Sequence, residues 1–158
     1  MDFKSLCAKV NIAKKVEPFH GTILALDPGE TTGWALFENQ NLVKSGQIST
    51  WPMKHAVSEL SKLLLEDPTH VVYEQYRVYS WKSDDHKWSN VPTLHIIGCI
   101  ETLSILRGNS YSDQSAQVAK NFCTDEKLQR WDFYKTGERH ARDAIRHGCY
   151  YLLFGPSK

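Results

Sequence analysis

Residues 21–38 read GTILALDPGETTGWALFE. Within them 22–26, TILAL, is a continuous apolar run with β-branched residues at its entry, the pattern of a strand buried on both faces. The run stops at Asp27, and Pro28-Gly29 turns the chain. Two further β-type segments follow, WALFE at 34–38 and NLVKSGQI at 41–48, joined at Asn39-Gln40. A two-residue connection of this kind predicts a hairpin that continues an antiparallel edge.

Pro52 opens a helical period through Val57, Leu60, Leu63 and Leu64, closed by Asp67-Pro68. Residues 69–74 (THVVYE) are the next buried strand, so a helix crosses between strands three and four. Residues 76–92 have no sustained apolar period and read as a long exposed loop, of the kind that is functional or disordered in a compact domain. Residues 93–106 form a helix that is apolar nearly all round. Beyond it, 109–111 reads as a short strand and 115–123 as a short helix with Val118 and Phe122 inward. Residues 126–137 read as a polar connector and 137–154 as the last helix. This order predicts an α/β domain with a mixed five-stranded sheet, three antiparallel strands and then parallel ones, flanked by helices.

The chain has 158 residues, enough for one core. Residues 1–20 carry Lys4, Lys9, Lys14 and Lys15 among Leu6, Val10 and Ile12, a basic N-terminal extension that is either an amphipathic element or an arm; the main domain is placed at 21–158. The 41% apolar and 23% charged content excludes extensive disorder. No run of 18 apolar residues occurs and the first residues lack a leader pattern, so a cytoplasmic location is expected. Cys7, Cys99, Cys123 and Cys149 form no C-x-x-C pair and read as reduced thiols. A net charge of +1 gives no global nucleic-acid signal, and any such contact needs a local patch.

Asp27 lies at the carboxyl end of a central strand, where open α/β sheets place their sites. Alone, Asp-Pro-Gly is a turn. Glu74 ends a second buried run in the same way, and two such acids side by side repel unless a cation lies between them. On the last helix His140 and Asp143 are spaced i, i+3 and reach one point. His147, one turn further on, reads as a supporting or structural residue. Carboxylates with one imidazole form a hard donor set that suits Mg2+ or Mn2+ better than zinc. Two such ions about 3.5–4 Å apart can clamp a phosphodiester, with Asp27 as the bridging ligand and His140 as a ligand or as the group that orients water or phosphate.

LALDPGETTGWALF, HVVYEQY and RHARDAIRHG, in that order and spacing, resemble the opening strand, acidic fourth strand and C-terminal helix of the RuvC-type Holliday-junction resolvases. These are members of the RNase H-like (retroviral-integrase-like) nuclease superfamily, and the resemblance runs from about residue 21 to 154. It implies an RNase H-like fold and a magnesium- or manganese-dependent homodimer that binds four-way junctions and makes paired symmetric nicks. By position, Asp27, Glu74, His140 and Asp143 match the family's catalytic and metal-binding residues. The aromatic, charged segment after Glu74 and the N-terminal extension depart from the family's pattern. The short length and divergent linkers resemble phage-encoded members, for which the compartment is the host cytoplasm.

DNA contacts are expected from Tyr76, Arg77, Tyr79, Trp81, Lys82 and Lys87, together with Trp88, where cations hold phosphates and aromatics stack on bases. Lys120, Lys127, Arg130, Lys135, Arg139, Arg142 and Arg146 form a second basic set, of which Arg139 and Arg142 flank the acids. Helix 93–106 is the expected dimer interface. Competing readings are an RNase H-like nuclease with another substrate (RNA–DNA hybrid, flap, or replication or packaging intermediate), a branched-DNA-binding module without catalysis, and an actin-like phosphate-binding fold using Asp27-Pro28-Gly29 with Thr31-Thr32.

Overall fold

Strand β1 (Thr22–Asp27) is the axis of the molecule. It pairs antiparallel with β2 (Thr31–Glu38) on one side and parallel with β4 (His70–Glu74) on the other. Strand β3 (Asn41–Ser49) extends the antiparallel edge and β5 (Ser110–Gln114) the parallel one, giving the order β3-β2-β1-β4-β5. The mixed five-stranded sheet expected from the sequence is the one observed. This computed structural model describes residues 1–77 and 91–155.

Helices α1 (Phe3–Lys14), α2 (Met53–Leu64), α3 (Pro92–Arg107), α4 (Ala116–Phe122), α5 (Asp125–Arg130) and α6 (Arg139–Phe154) flank the sheet. Side chains alternate between its faces with the period of a strand. Ile23, Ala25, Ala35, Phe37 and Val72 meet α6, α1 and Leu128 on one side, while Leu24, Leu26, Leu36, Val71 and Tyr73 meet α2 and α3 on the other. Both faces of β1 are therefore dry, which is why TILAL is apolar at every position after its first residue. Each fully buried Ile, Leu or Phe here stabilises the fold by about 1.5–3 kcal/mol.

Residues 1–20 contain α1, whose Phe3 and Cys7 are buried in the main core beside Trp131, with Phe3 and Trp131 ring centroids 5.0 Å apart. Lys14 Nζ donates to Leu153 O at 3.0 Å and so ties α1 to the end of α6. Cys7, Cys123 and Cys149 are buried free thiols, and burial pushes Cys7 and Cys123 up to about 12.

Three local expectations need correction. The polar connector at 126–137 contains α5: the Thr124 hydroxyl caps it, Asp125 and Glu126 occupy its first turn, and Leu128 is its single buried residue. One apolar residue in six left no period to detect. In α4 it is Ala119 that is buried while Val118 is exposed. Strand β5 continues past Tyr111 to Gln114, a polar stretch whose pairing with β4, rather than any side-chain pattern, makes it a strand. Helix α3 seats Ile96, Ile100 and Ser104 against the sheet side and leaves Leu94, Ile105 and Leu106 on the surface. Among the described residues no helix is long and apolar enough to cross a membrane.

Candidate active site

Because β1 and β4 are parallel neighbours in register at Leu26 and Tyr73, their next residues, Asp27 and Glu74, leave the sheet side by side. Gln114 is the partner of Glu74 on β5. Helix α6 lies against this row of strand ends. His140 Nδ1 is 2.7 Å from Asp27 Oδ2, and two turns further along the same helix stripe His147 Nε2 is 3.0 Å from Glu74 Oε2. Asp143 sits between these two on the helix and is buried. The structure thus brings Asp27, Glu74, His140 and Asp143 together, with His147 added to them.

The start of α6 is fixed from two sides. Gln47 on β3 accepts the His140 backbone N–H at 2.8 Å, satisfying one of the donors a helix start leaves open where Glu138 gives no side-chain cap. Gly33, the register partner of Asp27, presents no side chain to the same turn. The turn after Asp27 is held by Thr32 and Thr50, whose hydroxyls are 2.7 Å apart, with Gly29 N–H donating to Thr32 Oγ1 at 3.3 Å. The Thr32 hydroxyl is therefore engaged in building the turn, contrary to a phosphate-cradling role of the actin-like kind.

The electrostatics follow from this crowding. Burial raises the Asp27 carboxyl above its ordinary value, and the charges of Glu74 and Asp143 raise it further against the opposing His140 hydrogen bond. Burial also pushes Glu74 up, but the His147 hydrogen bond and charge, joined by Lys120, bring it below its ordinary value. Lys120 Nζ stands 3.4 Å from Glu74 Oε2 and 3.2 Å from Asp143 Oδ2; burial disfavours its charge, and the two acids outweigh that and raise it. Arg146 pairs with Asp143 and Asp125 and donates from Nε to Cys123 O at 2.9 Å.

Among the described residues no three His, Cys, Asp or Glu side chains converge into a formed metal cage. The pairings account for it: Lys120 bridges Glu74 and Asp143, Arg146 holds Asp143, and His140 holds Asp27. The donor set nevertheless fits a hard divalent ion. Asp27 carries the cost of burial and of two neighbouring acids, which a cation among the carboxylates would relieve.

The remaining sequence candidates divide. Arg77 is exposed and donates to Gln75, whose amide reaches Asp113 Oδ2 at 2.6 Å. Tyr76 is half-buried beside Glu74, and both line a cavity of about 170 Å³ with Arg77 and Thr93. Arg139 is exposed at the first residue of α6. Arg142 turns inward, donating to Lys135 O at 2.6 Å and stacking over Tyr134. Tyr79, Trp81, Lys82 and Lys87 lie outside the described residues.

Sequence reasoning gave Lys120 and Arg146 no role beyond a basic set, and did not single out Gln47 or Gln114. Arg146 carried a readable signal, its i, i+3 spacing from Asp143. The contacts of Lys120, Gln47 and Gln114 depend on elements far apart in the chain and left none. Replacing Arg146 with Met should lower stability by about 2–3 kcal/mol, because Asp143 is left buried without its guanidinium while the more exposed Asp125 loses little. Urea unfolding at pH 7.5 reads this directly, and a midpoint equal to that of the parent chain would contradict the pairing.

The fold that carries these residues has counterparts among solved structures. The Thermus thermophilus RuvC bound to a Holliday-junction substrate superposes with a TM-score of 0.66 at 12% identity, covering 86% of this chain and 98% of that one. This chain has the fold of the RuvC-type resolvases. The Fowlpox virus resolvase, solved with Holliday-junction DNA, matches with a TM-score of 0.57 at 15% identity over 83% of this chain and 96% of that one. The yeast mitochondrial Holliday-junction resolvase Ydc2 matches with a TM-score of 0.55 at 9% identity over 98% and 93%. No family model and no curated protein matches the sequence. The RuvC-like topology is thus shared where almost no sequence is.

Proposed function

We propose that the chain is a divalent-metal-dependent endonuclease that cuts branched DNA, with four-way junctions as its substrate. The observation that carries this reading is the convergence of Asp27 and Glu74, from adjacent parallel strand ends, with Asp143 and His140 from α6, in a fold shared with junction resolvases. Asp27, Glu74 and Asp143 would hold two Mg2+ or Mn2+ ions, and the Asp27 carboxyl feels the charge of both other acids. Bound there, the ions supply a lower pKa for the attacking water and counter-charge for the leaving oxygen.

The chain's own groups do the rest. His140 commits Nδ1 to Asp27, which fixes its ring and leaves Nε2 to bind an ion, a water or a phosphate oxygen. Lys120, once the carboxylates are neutralised otherwise, is a cation within reach of a phosphate. Arg77, Tyr76 and Arg139 border the site and would position the backbone of the DNA. Two nicks across a junction require two sites, and the exposed Leu94, Ile105 and Leu106 on α3, of which Leu106 is 76% accessible, give a homodimer its contact face.

A synthetic four-way junction, a linear duplex, a flap and an RNA–DNA hybrid, incubated with the chain in Mg2+, test the reading together. The expected result is paired nicking of the junction, at least about tenfold faster than of the other substrates and abolished by EDTA. Equal cutting of all four would leave a nuclease without junction selectivity, and cutting that survives EDTA would remove the metal.

A further inference from the structure

Glu74 and Gln114 are register partners on β4 and β5, and the imidazole of His147 is inserted between their side chains from α6. His147 is wholly buried and Gln114 is 1% exposed. The ring bridges them, with Nδ1 2.8 Å from Gln114 Oε1 and Nε2 3.0 Å from Glu74 Oε2. Gln114 Nε2 is buried with no hydrogen-bond partner. A half-turn of the amide removes this orphaned donor, because the NH2 group then donates to His147 Nδ1 while Nε2–H is directed at Glu74. An orphaned carbonyl oxygen is more readily tolerated than an orphaned N–H.

Among the described residues, the two side chains that reach Glu74, His147 and Lys120, both do so at Oε2. We infer that His147, anchored by Gln114, is a positioning residue that pins Glu74 through Oε2 and thereby presents Oε1 to the divalent ion. Outer groups of this kind orient a ligand without touching the metal, and their removal costs about 10–100-fold in metal affinity. The inference rests on the metal-site reading above and extends it by Gln114, while giving His147, which the sequence marks as supporting or structural, a definite task.

Mn2+ titration of the full chain without DNA, by calorimetry, tests it independently of turnover. His147→Leu should weaken Mn2+ binding by about 10–100-fold and Gln114→Leu by less. The double variant should bind no more weakly than His147→Leu alone, because Gln114 acts through the ring. His147→Gln, which keeps an N–H donor toward Glu74, should recover part of the loss. Circular dichroism confirms folding, and should His147→Leu not fold, Gln114→Leu and the nitrogen-15 spectrum of the wild-type His147 ring decide. That spectrum should show a slowly exchanging Nε2 proton that shifts when Mg2+ is added. Folded variants with wild-type Mn2+ affinity, additive losses in the double variant, or a ring without that proton would overturn the inference while leaving the metal site standing. A wild-type chain that takes up no Mn2+ would remove the metal-site reading and this inference with it.

Discussion

Asp27→Asn is expected to lower Mg2+-dependent junction cleavage by on the order of 10³-fold and, in metal-free buffer at pH 8, to raise the melting temperature. Both effects have one cause. Asp27 is 7% exposed and is held above its ordinary carboxyl value of 3.8 by burial and by the charges of Glu74 and Asp143. A carboxyl with a raised native pKa adds stability below the unfolded value of 3.8, and that contribution is lost as the pH rises through the native value. At pH 8 its ionised form is thus a burden that Asn removes, and at pH 3 the two chains should melt alike. Glu74 has the opposite sign: its lowered pKa adds stability above its ordinary value of 4.5, lost as the pH falls through the native value. Glu74→Gln should therefore melt lower than the parent at pH 8. Mg2+ at a hundredfold excess over its dissociation constant should stabilise the parent by about 2.7 kcal/mol and Asp27→Asn by far less. An Asp27→Asn chain that cuts normally, or melts lower at pH 8, would refute a cation site built on that carboxylate.

The same residues mark how much was readable in advance. Strand β1 was legible because a strand buried on both faces must be apolar throughout, and few other structures impose that on a five-residue run. Asp27 and Glu74 were legible as the polar residues that end such runs, and His140 with Asp143 from helical spacing. What escaped were interactions between groups whose proximity exists only after folding. Lys120 reads as one cation among many until α4 places it between Glu74 and Asp143. Gln114 is the one buried residue of a mostly exposed, polar strand with no apolar pattern, so its pairing with Glu74 had no local signature. Helix α5 escaped for the reverse reason: its capping Thr124 and acidic first turn are local, but six residues with one buried side chain fall below any periodic test.

The steric basis of the site gives the second large effect. A Cβ on Gly33 would lie 1.9 Å from His140 O and 2.8 Å from Ala141 N, both backbone atoms of α6 that no side-chain rotation can clear. Gly33 faces Asp27 across the β1–β2 ladder, so the bare strand surface that admits α6 is the one that lets His140 reach Asp27 at 2.7 Å. Gly33→Ala must push the first turn of α6 off the sheet. The expected cost is about 3 kcal/mol, at the upper end for an overfilled contact, and the melting temperature should fall by roughly 6–12 °C for a chain of this size. Cleavage should fall by at least about 10²-fold even where the protein is folded, because a displacement near 1 Å is enough to misplace reacting groups. Gly98→Ala is the contrast. Its new Cβ meets nothing within 4 Å, and on α3 it should be neutral or stabilise by up to about 1 kcal/mol. Thermal melts and junction cleavage measured on both variants separate the two cases. A Gly33→Ala chain with unchanged melting and activity would mean that α6 does not seat against β2, and with it the geometry that joins His140 to Asp27 would fall.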